Sequence, residues 1–412
     1  MSGLLTGVSP AEAAAALCAR LAPVGAEEVP LRGLPGRVLA EPGRWDRDSP
    51  PADVSAMDGY ALRAADAPAS GRWLPVAGEV AIGREPPACP PGAAVRVFTG
   101  GAVPAGADCV VPRELLEEEA AGDAARTGRV RWLPGSPAPI PGGHVRRRGE
   151  NARAGDAALP AGAAVTPAAA SALASAGAVP RVHRRVRVAV RLTGDELHDA
   201  SLPAGAVPPC GIRDSNGPLI RAFLAGLPWA EAVSVERVPD DAEATAASVR
   251  SALTEAAADA VLLSGGVSMG DHDHVPAACV AAGCTPVYHR LAMRPGKPNF
   301  GAVGPAGQAV LGLPGNPGSV LAGLFVLASP ALRRLAGFAD AQPPRPRLRV
   351  EHAGAETLNL WAYRPARIGE DGAARLLGHR GSGDPAGPAA MDGLVEVPPG
   401  ERAGAAPRRW YA

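Results

Sequence analysis

Between Arg181 and Phe338 short apolar runs alternate with helix-compatible stretches, and no other feature limits the fold of this 412-residue chain so strongly. VRVAVRL (186–192), VSVERV (233–238) and AVLLSGG (260–266) read as strands. Between them, DSNGPLIRAFLAGL (214–227) opens with capping residues, and Asp240 and Asp241 start a second helix with Glu243 placed as in a capping box. VPAACVAAG (275–283) is a short helix, VYHRLAM a strand, NFGAV and AVLGL a hairpin around GPAGQ, and a last helix starts near Pro317. Strands alternating with helices predict a parallel sheet covered on both faces.

The flanking segments have a different texture. Residues 53–141 carry short apolar runs cut by Gly/Pro turns, such as AAVRVFTGGAVPAGADCVVP, which predicts a small all-β unit. Residues 9–22 read as a helix with Ser9 as N-cap, Pro10 at the first position and Glu12 in the first turn. Residues 142–179 look like a connector, and LRVEHAG, LWAYRPARI and GLVEVPPG beyond Pro343 suit a small β-barrel or sandwich. Lys plus Arg and Asp plus Glu both number 41, so no global field draws the chain to nucleic acid or membrane, and a charged ligand must be held locally. The start lacks a basic region leading into an apolar core, so a cytoplasmic protein is expected. The six cysteines form no CxxC pair, which supports neither a disulfide framework nor a zinc site.

In an open parallel sheet the loops that follow the strands share the carboxyl edge, where such folds bind ligands. Here those loops are TGDEL, PDD, SGGVSMGDHD, MRPGKP and GLPGNPGS, bringing Asp195, Glu196, Asp240, Asp241, Asp271, Asp273, Arg294 and Lys297 to one cleft. SGGVS and GLPGNPGS have the makings of anion cradles, since glycine lets successive amides converge and a helix start adds positive potential; either could also be a plain turn. Neither matches a P-loop or a GxGxxG fingerprint. Acids beside an anion cradle point to Mg²⁺ between them, although Asp240 or Asp241 could equally be a helix N-cap. A transition-metal site on Asp271-His272-Asp273-His274 is the weaker alternative, because consecutive residues on a short loop cannot all face one ion.

Eight strings in order then resemble the MoeA/gephyrin E-domain family of molybdopterin molybdenumtransferases. They are SAMDGYAL (55–62), RVFTGGAVPAGADCVV (96–111), VRRRGEN (145–151), LTGDEL (192–197), DSNG (214–217), SGGVSMGDHDHV (264–275), RPGKP (294–298) and GLPGNPGS (312–319). The resemblance implies a multidomain α/β plus β protein. Residues 1–23 would give a helix packed on the αβ domain, 24–52 with 142–180 a linker domain, and 53–141 the small all-β domain. Residues 181–338 would form a MogA-like, molybdopterin-binding parallel αβ sheet domain, and 339–412 a C-terminal β-barrel. It also implies a homodimer whose active cleft lies between the αβ domain of one subunit and the small β domain of the other. The implied substrates are molybdate and adenylylated molybdopterin, supplied by molybdopterin adenylyltransferase as pathway partner. The adenylate is hydrolysed with Mg²⁺, and molybdenum is inserted at the dithiolene sulfurs, giving molybdenum cofactor and AMP.

Carried over by position, Asp58 and Thr99 resemble the functional pair of the β domain, and Glu196, Asp240, Asp273 and Lys297 the catalytic groups of the αβ cleft. Arg148, Ser264, Gly265, Gly266, Ser268, Arg294, Gly315, Asn316, Ser319, Arg364 and Ser382 are implied substrate contacts. Glu150, Asn151, Glu196 and Asp273 are implied metal ligands, and His272 and His274 are expected to be bystanders. Three departures stand out: Arg294 where the family more often has Lys, Asn151 where it has Asp, and Gly318 where it usually has Val. Asn151 motivates a competing expectation, a catalytically weakened paralogue that binds molybdopterin or the cofactor as a carrier or scaffold. A related adenylyltransferase would share only the αβ unit, and SAMDGYAL argues against it.

Overall fold

The run at Val186 becomes β1 (Val186–Thr193), an inner strand of a six-stranded sheet. Around it lie β2 (Ala230–Val238), β3 (Ala260–Ser264), β4 (Thr285–His289), β5 (Phe300–Val303) and β6 (Ala309–Leu313), in the order β2-β1-β3-β6-β5-β4. The first four in that order run parallel, while β5 is antiparallel to both its neighbours. The expected parallel sheet carries an antiparallel edge where the expected hairpin forms: the GPAGQ turn, closed by Gly304 N–H on Gln308 O at 2.8 Å, folds β5 back on β6. This computed structural model describes residues 3–67, 72–121, 127–268, 273–351, 356–378 and 380–412. They sort into two compact units: Met1–Glu41, Pro160–Ala170 and Pro180–Ala412 in the first, Pro42–Leu159 and Ser171–Val179 in the second.

Strand periodicity explains how the sheet is covered. Val186, Val188, Val190 and Leu192 of β1 face one layer with Ile220 and Leu224 of α1 (Asn216–Ala225). Ala189 faces the other, with Val249 and Leu253 of α2 (Ala242–Thr254) and Cys279 of α3 (Val275–Ala281). Each fully buried Val or Leu contributes roughly 1.5–3 kcal/mol, so the continuous apolar runs are what commit both faces to burial. Pro317–Leu335 forms one 19-residue helical run, α4 (Pro317–Gly323), a π turn and α5 (Ser329–Leu335), on the first face. It is long and apolar enough to cross a membrane by composition, but 72% of it is buried against the sheet, as a core helix is.

Two helix starts differ in their outcome. The N-terminal helix spans Pro10–Cys18, shorter than expected, and Ser9 and Glu12 form a full capping box. The box expected at α2 does not form. Its N-cap is Asp241, whose carboxylate accepts from Ala244 N–H at 2.7 Å, so Glu243 is one position short of the reciprocal site.

Beyond α5 the chain builds a seven-stranded sheet, in the order 347–348, 408–411, 393–397, 361–368, 374–376, 350–351, with Met293–Arg294 added beside the fourth. The two ends of that order are separated in sequence only by Arg349, so the sheet comes round on itself as a nearly closed barrel. Buried Glu396 accepts from the hydroxyls of Tyr363 (3.1 Å) and Tyr411 (2.5 Å), tying three strands together inside it. In the second unit, six strands order as 109–112, 59–62, 94–97, 74–79, 127–132 and 116–120, the expected all-β texture.

Candidate active site

Helices α1 and α2 lie on opposite faces of the sheet, so the crevice between β1 and β3 is a topological switch point. Its floor depends on Gly265 at φ +98°. A Cβ there would overlap Thr193 Oγ1 and lie 2.6 Å from the Thr193 carbonyl oxygen. Gly265 N–H is committed to Leu313 O at 3.0 Å. It is thus no part of an anion cradle, whereas the amides of Gly266, Val267 and Ser268 have no partner among the described residues. Asn216, 6% exposed, donates through Nδ2 to Ser264 Oγ (2.9 Å) and Gly315 O (2.7 Å), joining the loops after β3 and β6. Its Oδ1 is buried with no partner. Leaving such an acceptor unpaired costs about 1–3 kcal/mol. The sequence flagged DSNG as a string without giving Asn216 a task.

The acids of this edge divide their labour. Asp195 N–H donates to Asp240 Oδ2 and Asp240 N–H to Asp195 Oδ1, both at 3.2 Å, which locks the loops after β1 and β2 together. Asp241 is the N-cap, as one of the two readings had it. Glu196 is exposed beside Gly194, and Asp273 is half-buried just ahead of α3. Asp271 and His272 lie outside the described residues. Among those described, no three carboxylate, imidazole or thiolate groups gather on one point.

A cleft of about 920 Å³ opens between the carboxyl edge and the C-terminal barrel. It is built by the pairing of Met293–Arg294 with Trp361–Ala362, which bonds the basic loop to the barrel sheet. Arg294, Lys297, Asn316, Ser319, Arg364 and Ser382 all line it, together with Arg380, which the sequence reading passed over. Asn316 Nδ2 donates to Ser382 Oγ at 3.0 Å, and Gly318 N–H to Ser382 O at 2.9 Å. A Cβ at Gly318 would lie 3.0 Å from that same oxygen, so glycine here lets the barrel loop approach the helix start. Arg364 pairs with Glu356 at 3.2 Å. Arg294, Lys297 and Arg380 have no carboxylate within ion-pair distance among the described residues. Against the four cations Arg294, Lys297, Arg364 and Arg380, Glu356 is the one carboxylate among the described residues lining the cleft, and the positive balance makes it a site for an anion.

The second unit holds the remaining candidates. Both donors of Thr99, N–H (2.8 Å) and Oγ1–H (2.9 Å), go to one oxygen of Asp58, leaving Oδ2 uncommitted. Gly59 permits this placement, because a Cβ there would run into Val111 O across the ladder. The two Thr99 hydrogen bonds, backbone first, hold the Asp58 carboxyl below the usual range, with Arg96 and Arg113 adding to the effect. Asp58 thus stays charged at neutral pH, and what its charge supplies is lost only as pH falls through the lowered pKa. Thr99→Val removes one donor and should move the Asp58 titration upward, read from carboxyl carbon shifts in NMR; an unchanged titration would contradict this origin.

Arg148 donates to Asp48 (2.6 Å) and Arg147 to Asp53 (2.6 Å). Glu150 accepts from Arg147 N–H (2.9 Å), while Asn151 accepts from Arg146 (2.5 Å) and donates to Ser49 Oγ (3.1 Å). Both ends of the Asn151 amide are engaged in holding this turn, the oxygen by Arg146 and the nitrogen by Ser49.

Residues 8–177 match the model for the MoeA N-terminal region (domain I and II), and residues 189–334 that for a probable molybdopterin binding domain. A molybdopterin molybdenumtransferase from a Nostoc species is 36% identical over 77% of this chain and 71% of its own length. Another from Synechococcus elongatus is 37% identical over 72% of each. Among solved structures, a molybdopterin biosynthesis MoeA protein from Pyrococcus horikoshii superposes with a TM-score of 0.80 at 25% identity, covering 98% of this chain and 99% of its own. On two family models that together span most of its length, and on relatives more than 30% identical over some three quarters of it, the chain belongs to the MoeA family of molybdopterin molybdenumtransferases.

Proposed function

We propose that this protein transfers molybdenum from molybdate to adenylylated molybdopterin, releasing AMP and molybdenum cofactor. The observation that carries the reading is the positive balance of one cleft, lined by Arg294, Lys297, Arg364 and Arg380 with Glu356 as its one carboxylate among the described residues. A tetrahedral dianion such as molybdate matches that charge, with Arg364 and the hydroxyls of Ser319 and Ser382 as further donors. The pterin moiety belongs in the crevice between β1 and β3, where the amides of Gly266, Val267 and Ser268, without a partner among the described residues, can meet a phosphate. Glu196 and Asp273 would hold Mg²⁺ through carboxylate oxygens, and the ion, when bound, screens the phosphates against those acids.

Within that arrangement Asp58 acts from the small β domain as a charged acceptor, kept ionised by Thr99, able to orient a nucleophilic water through Oδ2. In a homodimer it would serve the crevice of the partner subunit. Asp240 acts through Asp195 as a positioning residue for the loop that carries Glu196. The substrate is an adenylate, so a molybdopterin adenylyltransferase supplies it. Calorimetric titration with tungstate, a tetrahedral dianion of the same size as molybdate, in the absence of adenylylated molybdopterin should give one site per chain that weakens steeply with salt. Absence of binding at low ionic strength would remove the cleft from the reaction.

A further inference from the structure

We infer that Asn299, fully buried just ahead of β5, is a positioning residue for the oxyanion: its side-chain amide fixes the backbone from which Lys297 reaches into the cleft. This rests on the proposal that the cleft binds molybdate. Asn299 is 0% exposed. Its Nδ2 donates to the Gly296 carbonyl at 2.6 Å, and its own backbone N–H donates to the same oxygen at 3.0 Å. That carbonyl is an obligate acceptor, so the orientation of the amide is determined.

The Gly296 carbonyl and the Lys297 N–H belong to one planar peptide unit, so holding the oxygen holds the plane that precedes Lys297. The plane that follows is held by Leu291 N–H, which donates to Lys297 O at 2.7 Å, and Pro298 keeps Lys297 out of the helical region. With both planes pinned, the direction of the Lys297 Cα–Cβ bond is set, while the side chain beyond it is exposed and lines the cleft. A cation that leaves from a fixed base loses less freedom when an anion binds. The bracing has a stability cost, since Asn299 Oδ1 is buried without a partner among the described residues. It also needs room: a Cβ at Gly296 would lie 2.6 Å from Nδ2, and one at Gly323, the last residue of α4, 2.9 Å from Oδ1. A leucine would fill much the same space with no unpaired oxygen, so packing alone does not account for an amide here. The bond to Gly296 does.

The test is calorimetric titration of the full-length protein with tungstate, in a cycle of the native chain, Asn299→Leu, Lys297→Ala and the double variant, with Asn299→Ala as a second replacement. Asn299→Leu should bind tungstate about fivefold more weakly than the native chain, at a melting temperature that is not lowered in proportion. In the Lys297→Ala background the same replacement should change affinity less than about twofold, because the group it positions is gone. A merely structural role would give the same fold-loss in both backgrounds, and that result would overturn the inference. Native affinity in both Asn299→Leu and Asn299→Ala would also overturn it while leaving the oxyanion cleft standing. No tungstate binding by the native chain at low ionic strength would overturn the cleft assignment and the inference with it.

Discussion

The double variant Lys297→Ala, Arg364→Ala should raise the KM for molybdate about a hundredfold and leave binding of a pterin phosphate nearly unchanged. Lys297 has no carboxylate at ion-pair distance among the described residues, and Arg364 is only partly engaged, by a half-exposed Glu356. Their charge is therefore available to a ligand and is not spent on holding the fold. A hydrogen bond from a charged group contributes about 1.5–3 kcal/mol, and two of them lost amount to about 3 kcal/mol or more, or roughly a hundredfold in affinity. The KM-against-kcat split separates this from general damage, since a loosened fold would lower kcat as well. Steady-state kinetics at fixed ionic strength read the effect, and a KM within about threefold of native would contradict the oxyanion assignment.

Gly265→Ala should be the most damaging single change. The residue sits at φ +98°, and the added carbon would meet both the side chain and the carbonyl of Thr193. β1 and β3 are hydrogen-bonded neighbours in a packed sheet, so neither can retreat. Strain plus overlap should cost about 2–4 kcal/mol, a fall in Tm of roughly 5–12 °C, with loss of pterin binding even below the melting transition. Gly266→Ala is the internal comparison. Its added carbon would lie 3.1 Å from Val275 Cγ2, which a small side-chain shift can relieve, and the expected loss is smaller. Equal melting temperatures for the Gly265→Ala and native proteins would show that the crevice floor is soft.

How much of this was readable beforehand depends on how local each feature is. The six sheet strands, the β5–β6 hairpin and the helices between them follow from hydrophobic periodicity and turn residues that lie within a few positions of one another. The capping register of α2 was misread by one residue, because Asp240 and Asp241 are chemically equivalent candidates and only Asp195 on a neighbouring loop decides between them. The cleft could not be built from the sequence. It depends on a two-residue pairing of Met293–Arg294 with a strand nearly seventy positions away, and on a glycine, Gly318, whose reason is the approach of Ser382. Arg364 and Ser382 entered only through the family resemblance for that reason, and Arg380 did not enter at all. Asn151 looked like a lost acid until its amide was seen tied between Arg146 and Ser49.

The central claim is that one chain joins an oxyanion cleft to a pterin crevice and carries out the transfer. Single-turnover reaction of the purified protein with adenylylated molybdopterin, molybdate and Mg²⁺ tests it most directly, following AMP by chromatography and cofactor by reconstitution of a molybdenum-free acceptor enzyme. AMP and active cofactor should appear together and in equal amounts. Tight retention of the adenylate with no AMP released would contradict the account and make the protein a carrier.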